Sequence, residues 1–122
     1  MPHKLLLADD SITIQRVIEL TFADEDVHVR AVGDGKSAIA SIQAERPDIV
    51  LADVGMPERD GYDLIGQLRN HPAWNALPAI ALTAFAMADD RIQAVRSGYQ
   101  AHLGKPVMPA DLLDTVAILL DR

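Results

Sequence analysis

Four apolar residues, Ile49-Val50-Leu51-Ala52, run without a break into an acid, Asp53. A strand with one wet face would alternate, so a run this apolar reads as a strand covered on both faces. The acid at its end then stands at the rim of the sheet, where the chain leaves the core. In open parallel sheets that rim is where ligands bind. The turn sequence Val54-Gly55-Met56-Pro57 follows at once. The remaining chain must supply the sheet around this strand and the partners of Asp53.

Two other segments have the same character. Lys4-Leu5-Leu6-Leu7-Ala8 runs into Asp9-Asp10, and Pro78-Ala79-Ile80-Ala81-Leu82 runs into Thr83-Ala84. Two more alternate instead. Val27, Val29 and Ala31 face one way while His28 and Arg30 face the other, and Gln100 to Gly104 repeats the pattern. Alternation marks a half-exposed strand, so these two belong at the edges.

Helical periodicity fills the intervals. Ser11 caps the first helix, in which Ile14, Val17, Ile18 and Phe22 share a face. Asp34 caps a second, which runs to about Glu45 with Ile39 and Ile42 inward. Gly61 leads into a third, where Tyr62, Ile65 and Leu68 fall together. A fourth, from about Met87 to Arg96, has a thin apolar face (Ile92, Val95) and stops at Gly98. The last, from about Pro109 to Leu120, is expected to pack through Leu112, Leu113, Val116, Ala117 and Leu120.

Five strands alternating with five helices predict an α/β fold, a doubly wound parallel sheet with helices on both faces. With the alternating strands outermost, the order 2-1-3-4-5 satisfies the pattern, and its switch point lies between the first and third strands. Asp9, Asp10 and Asp53 end those strands. Pattern alone therefore places three carboxylates in the expected crevice.

The 122 residues suffice for one domain, and residues 1–122 are expected to form a single one with no effector domain. No apolar run approaches the roughly 20 residues needed to span a bilayer. Met1-Pro2-His3-Lys4 leads straight into a strand, so no signal peptide is expected, and a cytoplasmic location fits. There is no cysteine, which excludes disulfides and thiol chemistry. The formal charge of −7, with no basic stripe, argues against direct nucleic-acid binding. His3, His28 and His71 show no metal spacing, and Trp74 is expected to anchor its loop.

Three clustered carboxylates repel one another unless a cation intervenes. Mg²⁺ takes oxygen ligands and is held by one or two carboxylates beside a phosphate. A carboxylate can itself accept a phosphoryl group as an acyl phosphate. The transferring group then needs hydrogen-bonding and cationic partners. Thr83 and Lys105, at the ends of the fourth and fifth strands, offer a hydroxyl and an ammonium.

The ordered set Leu7-Ala8-Asp9-Asp10, Asp53 with Met56-Pro57 and Asp60-Gly61, Thr83-Ala84, and Lys105-Pro106 resembles the receiver domain of two-component response regulators. The resemblance covers essentially the whole chain and implies a flavodoxin-like receiver architecture. It implies that Asp53 is the phosphoacceptor, taking a phosphoryl group from a partner sensor histidine kinase or phosphotransfer protein. It implies Mg²⁺ held by Asp10 and Asp53 directly, by Asp9 mainly through water, and by the backbone carbonyl of Gly55. Thr83 matches the switch hydroxyl, Ala84 the small neighbour that leaves room for the phosphate, and Lys105 the lysine that pairs with it. The Lys105-Pro106 bond is cis in similar domains. Such a chain is a signalling phosphoacceptor rather than a turnover enzyme, catalysing only its own phosphotransfer and slow autodephosphorylation. Gly55 and Phe85, which tune that lifetime, offer no side chain to orient water.

One position departs from the family pattern. Three residues before the lysine, where an aromatic switch residue is usual, stands His102. An imidazole is smaller than a phenol and can be charged, so phosphotransfer is expected intact and output switching altered. Two rival readings fail on particular residues. A haloacid-dehalogenase-type phosphatase needs a second acid two places after Asp53, and Gly55 stands there. A flavodoxin-like cofactor binder needs a hydroxyl- and glycine-rich loop after the first strand, and Asp9-Asp10 stand there. A third, a receiver used purely as an interaction module, is disfavoured by the complete set of acids, Thr83 and Lys105.

Overall fold

The computed structural model describes residues 3–54, 60–83, 88–105 and 107–120. In chain order the elements are β1 (His3–Ala8), α1 (Ile12–Thr21), β2 (Val27–Val32), α2 (Gly35–Ala44), β3 (Ile49–Asp53), α3 (Asp60–Arg69), β4 (Ala79–Thr83), α4 (Ala88–Ser97), β5 (Ala101–Gly104) and α5 (Pro109–Leu120). All strands are parallel and lie in the expected order, β2-β1-β3-β4-β5. The strands β3 and β4 are buried throughout, whereas β2 alternates and β5 is half-buried along its length. Central strands read as continuous apolar runs and edge strands do not, for the reason given by their two-sided or one-sided cover. Among the described residues no helix is long and apolar enough to cross a membrane.

The two faces of the sheet carry different cores. On one, Leu5, Leu7, Ile49, Leu51, Ile80 and Leu82 meet Ile18 and Phe22 of the α1 region and Leu112, Val116 and Leu119 of α5. Each large aliphatic so buried contributes about 1.5–3 kcal/mol. On the other face the sheet presents mostly alanines, Ala8, Ala52, Ala79 and Ala81. The space they leave is filled from outside the strands by α2, α3 and α4 and by two aromatics, Trp74 and Tyr99. Trp74 is a buried loop anchor, as expected, and its ring stacks on His71 at 3.8 Å.

The helix faces need three corrections, the first in α4, where Ile92 and Val95 are exposed and Ala94 faces the core. Val17 is 37% exposed, so the inner stripe of α1 is Ile14, Ile18 and Phe22 at four-residue spacing. Val17 stands a hundred degrees round from Ile18, on the shoulder. Ala117 is likewise exposed beside buried Val116, and the stripe of α5 is Leu112, Val116 and Leu119. Both expected caps form. Ser11 Oγ accepts from the Ile14 N–H at 3.3 Å and Asp34 Oδ1 from the Ser37 N–H at 2.7 Å. Gly98 ends α4 with φ of +119°, a conformation glycine adopts freely.

Candidate functional site

Strand register assembles the rim. Ala8 pairs with Ala52, so Asp9 and Asp53 leave neighbouring strands side by side. Asp53 pairs with Leu82, which sets Thr83 one residue beyond. Thr83 pairs with Gly104, which sets Lys105 one beyond again, and the Lys105 N–H donates to the Thr83 carbonyl at 2.8 Å. One carboxylate oxygen from each of Asp9, Asp10 and Asp53 lies within 4.8 Å of the other two. Asp9 and Asp53 are buried and Asp10 is exposed.

Lys105 stands between the two buried acids. Its Nζ donates to Asp53 Oδ2 at 2.9 Å and pairs with Asp9 Oδ2 at 3.1 Å. Burial pulls this ammonium down, but the bonds to Asp53 and Asp9 outweigh burial and raise it, so it stays charged. Asp9 moves the other way. Burial lifts its carboxyl above the ordinary value, the Ser11 N–H and Lys105 draw it back, and the nearby charge of Asp53 adds to the rise. Its Oδ1 accepts from the Ser11 N–H at 2.9 Å, and its carbonyl accepts from Gln15 Nε2 at 2.7 Å. The start of α1 is thereby laced to the acid.

Among the described residues, three clustered carboxylates with one ammonium between two of them leave the rim over-supplied with negative charge. The donors are all oxygen, which fits a hard divalent cation such as Mg²⁺. Thr83 is 2% exposed, and its Oγ1 has no hydrogen-bond partner among the described residues. A buried hydroxyl left in that state costs about 1–3 kcal/mol, which a group entering the rim would recover.

His102 pairs with Ala81 in the sheet, so it shares a face with Thr83, two places further down, and is half-buried. Gly55, expected to offer its carbonyl to the metal, lies outside the described residues, as do Met56-Pro57, Ala84, Phe85 and the cis bond to Pro106. Three further contributors have no role in the site that the sequence pattern assigns. Gln15 holds the Asp9 backbone. Gly61 packs so closely that a Cβ there would sit 2.5 Å from the Asp53 carbonyl oxygen. The Tyr99 hydroxyl donates to the Gly61 carbonyl. A glycine opening a helix just after the Asp53 loop was the available signal for the second. The others act on backbone carbonyls, which leave no mark in a sequence.

The model of the response regulator receiver domain matches residues 5–117. The chain is 34% identical to the response regulator Rre1 of Synechocystis over 99% of its own length, and it spans about half (53%) of that protein. It superposes on a Chloroflexus aurantiacus protein described as a response regulator with a TM-score of 0.95, at 34% identity over all of both chains. It superposes with a TM-score of 0.90, at 30% identity over all of both chains, on the receiver domain of the Pseudomonas aeruginosa sensor histidine kinase PA1611. That structure holds a magnesium ion in its active-site cleft.

Proposed function

The chain belongs to the response regulator receiver family, a family of signalling domains, and from that premise we propose that Asp53 accepts a phosphoryl group from a phosphohistidine of a partner histidine kinase or phosphotransfer protein. A carboxylate oxygen of Asp53 attacks the phosphorus. The O–P bond forms as the N–P bond breaks, and the donor imidazole leaves with the electron pair. Asp10, Asp53 and the Gly55 carbonyl would hold Mg²⁺ directly and Asp9 mainly through water, and the ion would supply neutralising charge for the phosphoryl oxygens. The protein's own groups do the rest. Lys105 transfers its hydrogen bond from the Asp53 carboxylate to a phosphoryl oxygen, and the Thr83 hydroxyl turns towards another.

The observation that carries this reading is the Lys105 ammonium held between Asp53 and Asp9, 2.9 and 3.1 Å from their oxygens, with Asp10 completing the acid trio. A cation that close to a strand-end carboxylate is in place for a dianionic group formed on it. Incubation with Mg²⁺ and acetyl phosphate, followed by intact mass, tests it. Wild type is expected to gain one phosphoryl group and Asp53→Asn none. An unchanged wild-type mass would overturn the reading.

His102 reads the modification. It lies on the Thr83 face of the edge strand, so movement of Thr83 towards the phosphoryl group opens space beside it. Amide shifts in α4 on phosphorylation are expected to be lost in His102→Ala. Their full retention would assign the readout elsewhere.

A further inference from the structure

Tyr99 lies just ahead of β5, and its side chain is 2% exposed, in the core that also holds Leu64, Ile65, Trp74 and Ala94. Its backbone end is fixed on both sides. The Tyr99 N–H donates to the Ala94 carbonyl at 3.1 Å. The neighbouring Gly98 carbonyl accepts from Arg69 Nε at 2.9 Å, and the neighbouring Gln100 Oε1 accepts from Arg69 Nη2 at 2.8 Å and from the Ala79 N–H at 2.7 Å. A phenol ring is a stiff lever with only two side-chain torsions. Its far end, the hydroxyl, reaches across the core to the Gly61 carbonyl.

Gly61 is where that reach acquires a consequence. It opens α3 against the peptide that follows Asp53, and a Cβ there would stand 2.5 Å from the Asp53 oxygen and 2.6 Å from the Val54 Cα. Bare backbone therefore lies on bare backbone. The same peptide is held from the sheet side, where the Val54 N–H donates to the Leu82 carbonyl at 3.0 Å. The turn carrying Asp53 is thus clamped between β4 and the first turn of α3, and the hydroxyl of Tyr99 holds the α3 side of the clamp.

We propose that Tyr99 is a positioning residue for Asp53, acting through Gly61: its hydroxyl fixes the first turn of α3 and so the peptide from which the phosphoacceptor carboxylate projects. The proposal rests on Asp53 being the phosphoacceptor. Packing alone does not call for the hydroxyl, because phenylalanine would fill the same space. In-line transfer to a carboxylate depends on near-attack geometry, in which a misplacement of about an ångström costs up to a hundredfold. Loss of a bond to the supporting turn is a fraction of such a displacement.

The test is Tyr99→Phe in the full chain. Read-outs are the rate of acyl phosphate formation from acetyl phosphate at saturating Mg²⁺, the Mg²⁺ affinity, and the amide positions of Asp53 and Val54 by NMR. The rate is expected to fall roughly three- to tenfold, the range set by one buried hydrogen bond, with Mg²⁺ affinity unchanged and both amides displaced. Gly61→Ala, which moves the same turn directly, is expected to slow the reaction further. Adding Tyr99→Phe to it should then cost less than it does in wild type, because the two act in series. A Tyr99→Phe protein with lower stability but wild-type rate and unmoved amides would overturn the proposal, as would strict additivity of the two substitutions. Failure of the wild type to take up phosphoryl would instead strike the reading of Asp53. In that case the Asp53 and Val54 amides alone decide whether Tyr99 holds the turn.

Discussion

The two ends of the sheet bury charge in opposite ways. At the amino ends of β4 and β5 a single guanidinium, that of Arg69, meets five acceptors, all of them neutral. Its Nε donates to the Gly98 carbonyl at 2.9 Å, Nη1 to the carbonyls of Leu77, Asn75 and Trp74 at 2.8, 3.3 and 3.5 Å, and Nη2 to Gln100 Oε1 at 2.8 Å. At the carboxyl ends, among the described residues, three carboxylates cluster, one ammonium pairs with two of them, and the buried Thr83 hydroxyl has no partner. The first arrangement is complete. Buried polar groups with all their partners rigidify a structure and leave nothing for a ligand to do. The second is incomplete in both charge and hydrogen bonds, so it gains by taking up a cation and an anionic group. Completeness separates a structural network from a functional one more clearly than burial does, since both are partly buried.

The contrast breaks if the Arg69 cage affects chemistry, or if it is dispensable. In Arg69→Met the apolar stem remains while the Gly98 carbonyl loses its donor, the Leu77 carbonyl keeps only Gln100 Nε2 at 3.4 Å, and Gln100 Oε1 keeps only the Ala79 N–H. Each unanswered group costs about 1–3 kcal/mol, and rearrangement towards solvent recovers part of that. A loss on the order of 3 kcal/mol is expected as a lower urea midpoint with unchanged slope. The folded fraction should still take up phosphoryl from acetyl phosphate, slowed by no more than in Tyr99→Phe. A midpoint within error of wild type would show that the carbonyls find other partners. A collapsed rate in fully folded protein would tie the cage to the rim, and Tyr99, whose neighbours on both sides bind Arg69, would be the route.

The same contrast explains what could be read from the sequence. Rim residues stand at the ends of strands, so parallel strands that end together bring Asp9, Asp53, Thr83 and Lys105 into one row without any knowledge of loops. The cage is illegible by the same logic. Arg69 is a cation near a helix end, a position that usually marks a solvated charge, and most of its acceptors are backbone carbonyls. Tyr99 is equally unmarked, since it stands six residues before Lys105 and not at the position of an aromatic switch residue. Its role depends on alanines at 8, 52, 79 and 81, which count as hydrophobic in any pattern but leave the sheet thin on one face. Volume, unlike polarity, has no periodic signature. Val17 shows the limit within a helix, where a hydrophobic stripe read too widely takes in its exposed shoulder.

A smaller effect separates the two ends by pH. Arg69 is lowered by burial but keeps its charge through the working range, so its contribution to stability is flat. Asp9 is raised above its ordinary value of 3.8, chiefly by burial. A carboxyl whose folded value exceeds its unfolded one favours the native state while protonated. That contribution is fully present below pH 3.8 and is lost as pH rises through the folded value. Most carboxylates in folded proteins, Asp34 at its cap included, run the other way and lose stability in acid. Asp9→Asn removes the titrating group but keeps its shape. In metal-free protein the melting temperature of this variant, relative to wild type, should therefore be lowest below pH 3.8, climb as pH rises and level off above the folded value. Mg²⁺ should shrink the gap at neutral pH by stabilising the ionised wild type, which keeps all its acids. The deficit of Arg69→Met should stay level over the same window. A flat Asp9→Asn difference would mean that Lys105 and the Ser11 N–H offset the burial of Asp9 in full. The rim would then be as complete without a metal as the cage is.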